Sequence, residues 1–404
     1  MTVTIEKGLA RGCVCAPPSK SMGHRLLICA ALAEGESRIR GISDSADMKA
    51  TLGCLSALGA RFSVEGDTVR VHGISAKTAK PSEPLFCNES GSTLRFLIPI
   101  ALLSGNNALF TGADSLFRRP MTVYEALAEE RGLFFSKDAH SAVVKGPLTA
   151  GEYHVAGNIS SQFISGLLFA LPLLDGDSLI RITPPLESRS YIHLTVTALA
   201  AFGVRVTWVD DFTLSIPGKQ HYAPTDATVE GDYSGAAFLD ALTVLGGNVE
   251  TQGLSPDSLQ GDRAYNRFFP MLLRGTPTIH LGDCPDLGPI LFAVAAAKNG
   301  AVFTGTERLH IKESDRVSAM AEELAKFGVT VTENGDSVVV YPSDFYPPKE
   351  PLAGHNDHRI VMALAVLSTL TGGVITGAEA VSKSFPDFFE KLASLGISLT
   401  THEI

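Results

Sequence analysis

Tryptophan occurs once in this 404-residue chain, and aromatic side chains make up only 7% of it. No apolar run reaches the roughly 20 residues needed to cross a bilayer, so a membrane-spanning protein is excluded as an expectation. Basic residues are the minority charge, 33 against 43 acidic, giving a net charge of −10. That balance argues against general nucleic-acid binding, because a phosphate backbone needs an excess of Lys and Arg. Cysteine is sparse: Cys13, Cys15, Cys29, Cys54, Cys87 and Cys284, with only Cys13-Val14-Cys15 close together. Neither paired CxxC motifs nor a Cys/His cluster is present, so no zinc site is expected. Six scattered cysteines fit small apolar fillers in a reducing compartment. The opening MTVTIEKGLARG lacks the apolar stretch of a signal peptide. A cytoplasmic protein is expected, with no metal and no cofactor, since the chain also has no P-loop.

What the chain does have is length, glycine and internal repetition. Its 404 residues exceed the size at which one core stops growing, so two domains are expected. Six segments start on small, polar or charged residues, run on as apolar helix and stop near one of the 38 glycines. They are SKSMGHRLLICAALAEG, ESGSTLRFLIPIALLSG, ISSQFISGLLFALPLLDG, GDYSGAAFLDALTVLGG, PDLGPILFAVAAAKNG and NDHRIVMALAVLSTLTGG. Apolar around most of their circumference, such helices must be buried, and the glycines are expected just past their C-termini. Alternating with them are segments that read as amphipathic helix, glycine, strand, turn and strand, such as MAEELAKFGVTVTENGDSVVVYP. The copy around NRFFPMLLRGTPTIHLGD is the weakest, and FFEKLASLGISLTTHEI is cut short by the chain end. A period of roughly 70 residues is too long for a solenoid, so each copy is an α/β subdomain, three per domain.

The helix starts gather Lys20, Ser21 and Arg25; Ser90, Gly91, Ser92 and Arg95; Ser160, Ser161 and Gln162; Asp232; Asp286; and Asp357, His358 and Arg359. N-capping explains the serines and aspartates. It does not explain Lys20, Arg25, Arg95 and Arg359, because a cation is unfavourable at the positive end of a helix unless an anion is bound there. A multiply anionic substrate is expected.

The motifs PSKSMGHRLL, SGSTLRFL, Arg118-Arg119-Pro120, SSQF, KESDR, NDHR and KSFPDF occur in that order. Together they resemble the signature set of the 5-enolpyruvylshikimate 3-phosphate synthases, over about residues 16 to 391. The resemblance implies an α/β fold of two similar domains, each of three βαβαββ units around buried helices, an inside-out α/β barrel. Helix N-termini would face an interdomain cleft that holds the active site. It places the N-terminal domain at 18–228 and the C-terminal domain at 1–17 with 229–404. It also implies small-molecule substrates, phosphoenolpyruvate and shikimate 3-phosphate, and a cofactor-free reaction in the shikimate pathway; a monomer is expected.

The reaction protonates the methylene carbon of phosphoenolpyruvate while a hydroxyl attacks the neighbouring carbon, then reverses the proton traffic to expel phosphate. Carried over by the resemblance, Glu313 is the proton donor, Asp286 the base, and Lys20 completes the catalytic set. The phosphoenolpyruvate residues would be Lys20, Gly91, Arg119, Gln162, Arg316, Arg359 and Lys383. Those for shikimate 3-phosphate would be Lys20, Ser21, Arg25, Ser160, Ser161, Gln162, Ser188, Tyr191, Asp286 and Lys312. Arginine suits the first set because its planar fork meets carboxylate or phosphate at two points. From the residues alone, Asp286 also reads as a helix cap, and Glu313 as one member of a charge-paired helix start. Glu89, Arg308, His310 and Phe96 depart from the family's usual residues, and no role is carried onto them. The related UDP-N-acetylglucosamine enolpyruvyl transferases use a cysteine before their Arg-Pro, whereas this loop reads Gly112-Ala-Asp-Ser-Leu-Phe-Arg-Arg119.

Overall fold

Four of the six apolar segments begin on a side chain that caps the helix. Ser90 accepts from the Thr93 amide, Ser160 from Gln162, Asp232 from Gly235 and Asp357 from Arg359. The helices they start are Gly91–Ala101, Ser161–Ala170, Tyr233–Val244 and His358–Thr371. The other two are Lys20–Leu32 and Gly288–Ala297. All are enclosed as expected: Met22 to Leu32, Gly288 to Ala296 and His358 to Thr369 are buried without a break. Small and aliphatic side chains on every face are what such enclosure demands.

The computed structural model describes residues 1–402. The chain divides into two units, Lys20–Val229, and Met1–Ser19 together with Glu230 onward. In the first unit, three four-stranded sheets share one plan. Leu85–Phe86 runs parallel to Asn107–Thr111, and the buried helix Gly91–Ala101 makes the crossover that a parallel pair needs. The hairpin Phe134–Lys137 and Ser141–Lys145 then adds two antiparallel strands. Glu152–Ala156, Ser178–Thr183, Thr213–Ile216 and Thr207–Asp210 repeat the plan around helix Ser161–Ala170. In the remaining sheet the parallel partner of Glu36–Arg40 is Ala227–Thr228, so the end of the unit closes its own beginning.

The second unit keeps two such sheets. Thr278–His280, Ala301–Thr304, Ser337–Val340 and Val331–Glu333 enclose the crossover helix Gly288–Ala297. Leu352–Ala353, Gly373–Thr376, Thr2–Ile5 and Leu399–His402 enclose His358–Thr371. Here the copy truncated at the C-terminus is completed by the N-terminal strand, which lies between Gly373–Thr376 and Leu399–His402. The weakest sequence copy is weak because its hairpin is absent. Its sheet is only Arg11–Cys15 beside Asn248–Gln252, and the strand after helix Tyr265–Arg274 joins the next sheet instead.

Two expectations need correction. Cys13 and Cys15 are not core fillers: both are exposed on Arg11–Cys15, where the missing hairpin leaves the strand's outer face uncovered, while Cys29, Cys54, Cys87 and Cys284 are buried. Of the six apolar helices, only His358–Thr371 ends directly on glycine, at Gly372 with φ 83°. It follows one residue after the cap of Tyr233–Val244, and lies farther along in the other four helices, serving the turn beyond. Among the described residues, no helix is long and apolar enough to cross a membrane.

Candidate active site

In the unit built from Glu230 onward, Asp286 is the meeting point of three cations. Its carboxylate lies 3.2 Å from Lys312 Nζ, 2.9 Å from Arg316 Nη1 and 3.0 Å from Arg359 Nη2. It does not cap the following helix, which has no side-chain cap, because those cations claim both of its oxygens. Burial alone would raise its pKa. The opposing fields of Arg359, Lys312 and Arg316 win, and hold the carboxyl well below the usual range.

Arg316, at the start of helix Arg316–Lys326, is 1% exposed and joins three carboxylates. It reaches Asp286, Glu313 at 2.7 Å and Asp357 at 2.8 Å. The expected acid and base are therefore held on one guanidinium, and Glu313 pairs with it at i,i+3. Lys312 is pushed down to about 8, first by burial and then by Arg308 and Arg316, despite the opposing pull of Asp286. Arg359 also donates to the hydroxyl of Ser234 and to the Asp286 carbonyl. Lys383 donates to the carbonyl and side-chain oxygens of Asn356, at 2.6 and 2.8 Å.

These contacts correct the reasoning from helix starts. Arg359 faces Asp286 within its own unit, so it does not require a bound anion to be tolerated. The anion argument passes to the other unit. There, Arg25 is buried and donates to neutral oxygens: Thr195 Oγ1 at 2.8 Å and the carbonyls of Ser21 and Tyr191 at 2.6 and 2.9 Å. Burial lowers its pKa to about 10. Arg119 is 9% exposed, and its Nε and Nη2 have no hydrogen-bond partner among the described residues. A buried guanidinium left this way is costly without an anion to meet it.

Gly91 opens helix Gly91–Ala101 beside that guanidinium. A Cβ there would come within 2.9 Å of Arg119 Nη1 and 3.6 Å of both Arg95 Nη1 and Gln162 Oε1. Arg95 donates to Gln162 at 2.7 Å, and Gln162 donates to Ser92 at 2.9 Å, so these side chains are fixed by one another. Gly91→Ala is expected to raise the KM for an anion bound at Arg119 roughly tenfold or more, with a smaller change in kcat. Steady-state titration of phosphoenolpyruvate checks this.

Lys20 pairs with Asp47 at 2.8 Å, a partner not foreseen from the sequence. Ser160 caps its helix, Ser161 is buried beside it, and Ser188 adopts the left-handed conformation at φ 54° before helix Arg189–Ala201. Tyr191 contributes its carbonyl to Arg25. Sequence reasoning also missed Ser234, Thr195 and Asn356 as partners of the candidate arginines and lysine. Backbone strain marks several of these places: among non-glycine residues, positive φ occurs at Asn88, Ser188, Lys219, His355 and Asn356. Arg308 braces the Gly282 carbonyl at 3.2 Å, and His310 reaches Asp315, the cap of Arg316–Lys326, at 2.9 Å.

The family profile described as EPSP synthase (3-phosphoshikimate 1-carboxyvinyltransferase) matches residues 6–392. This chain belongs to the EPSP synthase family. A 3-phosphoshikimate 1-carboxyvinyltransferase of Clostridium kluyveri is 39% identical, covering 98% of this chain and 97% of that protein. The one from Clostridium acetobutylicum is 40% identical with the same coverage. In fold, the chain is similar to EPSP synthase from Acinetobacter baumannii at a TM-score of 0.78, 23% identity and full coverage of both chains. The family assignment accounts for the α/β repeat plan.

Proposed function

We propose that this chain performs its family's reaction, moving the carboxyvinyl group of phosphoenolpyruvate onto the 5-hydroxyl of shikimate 3-phosphate with release of phosphate. Asp286 takes the hydroxyl proton as the oxygen attacks C2 of phosphoenolpyruvate. Glu313, which takes up a proton as phosphoenolpyruvate draws Arg316 from it, gives that proton to C3, making a methyl group and a tetrahedral intermediate. Return of a proton from that methyl to Glu313 expels phosphate, which leaves with the proton Asp286 had taken, and the enol ether remains. The observation that carries this reading is the sharing of Arg316 by Asp286 and Glu313, 2.9 and 2.7 Å away. One buried guanidinium thereby fixes a base and an acid in relation to each other, which is what paired proton transfers require.

Clamped by three cations, Asp286 is a weak base before substrate arrives. Anionic substrates compete for Lys312, Arg316 and Arg359, and each cation drawn away raises the carboxylate's basicity. Arg119, Arg316, Arg359, Lys383, Lys20, Gly91 and Gln162 would hold phosphoenolpyruvate. Ser21, Arg25, Ser160, Ser161, Ser188, Tyr191, Asp286 and Lys312, again with Lys20 and Gln162, would hold shikimate 3-phosphate. The metabolite substrates support a cytoplasmic setting.

Purified protein in chelator is expected to release phosphate from phosphoenolpyruvate only when shikimate 3-phosphate is added. Activity with UDP-N-acetylglucosamine in its place would overturn the reading. The depressed pKa of Lys312, about 8, adds a pH test. Charged Lys312 binds phosphate and neutral Lys312 does not. Hence kcat/KM for shikimate 3-phosphate should fall above pH ~8, approaching tenfold per unit. Lys312→Arg keeps the charge at all these values, and its profile should stay flat where the parent's falls.

A further inference from the structure

Between Leu352–Ala353 and helix His358–Thr371 the chain makes a turn through Gly354, His355 and Asn356. His355 and Asn356 are both left-handed, at φ 49° and 51°. Two consecutive non-glycine residues in that region are uncommon and persist only where surroundings hold them. The turn's products are the Asn356 oxygens that take Lys383 and the Asp357 carboxylate that takes Arg316.

The holding group is Glu323, fully buried and two turns along the helix from Arg316. Its carboxylate accepts from His355 Nε2 at 2.9 Å, from the Ala353 amide at 2.9 Å and from Lys326 Nζ at 2.9 and 3.0 Å. One side chain thus grips the strand before the turn and the first left-handed residue within it. Glu322 is also near enough for its oxygen to group with those of Glu323 and His355. Lys326 already sits on both Glu323 oxygens.

We propose that His355, gripped by Glu323, is a positioning residue for phosphoenolpyruvate, fixing the turn that presents Asn356 to Lys383 and Asp357 to Arg316. The proposal rests on the reading above that Lys383 and Arg316 contact phosphoenolpyruvate. The charges facing His355 are Glu323, Glu322 and Lys326. Its hydrogen bond to Glu323 leads in raising its pKa, against burial and Lys326, so the imidazolium that strengthens the grip is favoured.

His355→Ala is expected to raise the KM for phosphoenolpyruvate roughly fivefold to twentyfold, with a smaller fall in kcat through Arg316 and the KM for shikimate 3-phosphate within about twofold of the parent. His355→Gln, which retains an N–H donor, should recover most of the loss. An unchanged phosphoenolpyruvate KM in folded His355→Ala would overturn the proposal. So would an equal rise in both KM values with a falling kcat, the mark of general loosening. Should the alanine variant not fold, Glu323→Gln is read by the same criteria. Lys383→Met separates the two layers. If it raises the phosphoenolpyruvate KM while His355→Ala does not, only the positioning proposal fails. If Lys383→Met has no effect, the site reading fails and this proposal with it.

Discussion

Asp286→Asn is expected to lower kcat by about 10²- to 10⁴-fold, the range for loss of a general base. The amide matches the carboxylate in shape but cannot take the hydroxyl proton. The accompanying change in binding should run the other way. Asp286 competes with substrate anions for Lys312, Arg316 and Arg359, and asparagine competes less. The KM for phosphoenolpyruvate should therefore stay level or fall, and equilibrium titration of phosphoenolpyruvate should show no loss of affinity. This pattern separates a base from a binding residue, whose removal raises KM with kcat nearly unchanged. Activity within tenfold of the parent would remove Asp286 from the mechanism. Some thermal stability should be lost as well, because three cations lose part of their counter-charge.

How far the sequence reveals this site depends on the kind of interaction. The buried helices and their caps at Ser90, Ser160, Asp232 and Asp357 are local features, encoded by apolar runs with polar starts, and they are legible residue by residue. The pairing of the chain's first strand is not. Thr2–Ile5 completes a sheet with Leu399–His402, a pairing across nearly the whole chain that no local pattern encodes. The hairpin missing from the fourth copy showed only as weak similarity, since absence leaves no motif.

Charge pairing was the least legible level. Lys20 and Arg359 announce an anion to a reader of the sequence, but Asp47 and Asp286 supply one within the fold. Their partners lie 27 to 73 residues away. Only the tertiary structure distinguishes them from Arg119, whose guanidinium nitrogens Nε and Nη2 stay unmatched among the described residues. The exposed Cys13 and Cys15 teach the same lesson for apolar residues: composition predicts the average cysteine, and the uncovered strand decides these two.

Arg316→Met is expected to destabilise the unit by about 3–5 kcal/mol, the cost of removing one partner from a buried ion network. Methionine preserves much of the side-chain volume, so the loss is chiefly electrostatic. Asp357, fully buried, would keep its charge without the guanidinium 2.8 Å away. Glu313 and Asp286 would lose a cation each. Urea denaturation near pH 7 measures the difference, provided unfolding remains cooperative. The pH dependence follows from the carboxylates. Burial pushes the Asp357 pKa up, but Arg316 outweighs this and holds it below its usual value, and Asp286 is depressed further. A carboxylate with a depressed folded pKa stabilises above its unfolded value, near 3.9, and loses that contribution as pH falls through the folded one. The gap between parent and variant should thus be widest near neutrality and close below about pH 4. Asp357→Asn in the Arg316→Met background should cost little more, because the orphaned charge is removed with its partner. A double-mutant cycle showing simple additivity would mean that the pair contributes nothing as a pair, and that Arg316 is held for catalysis alone.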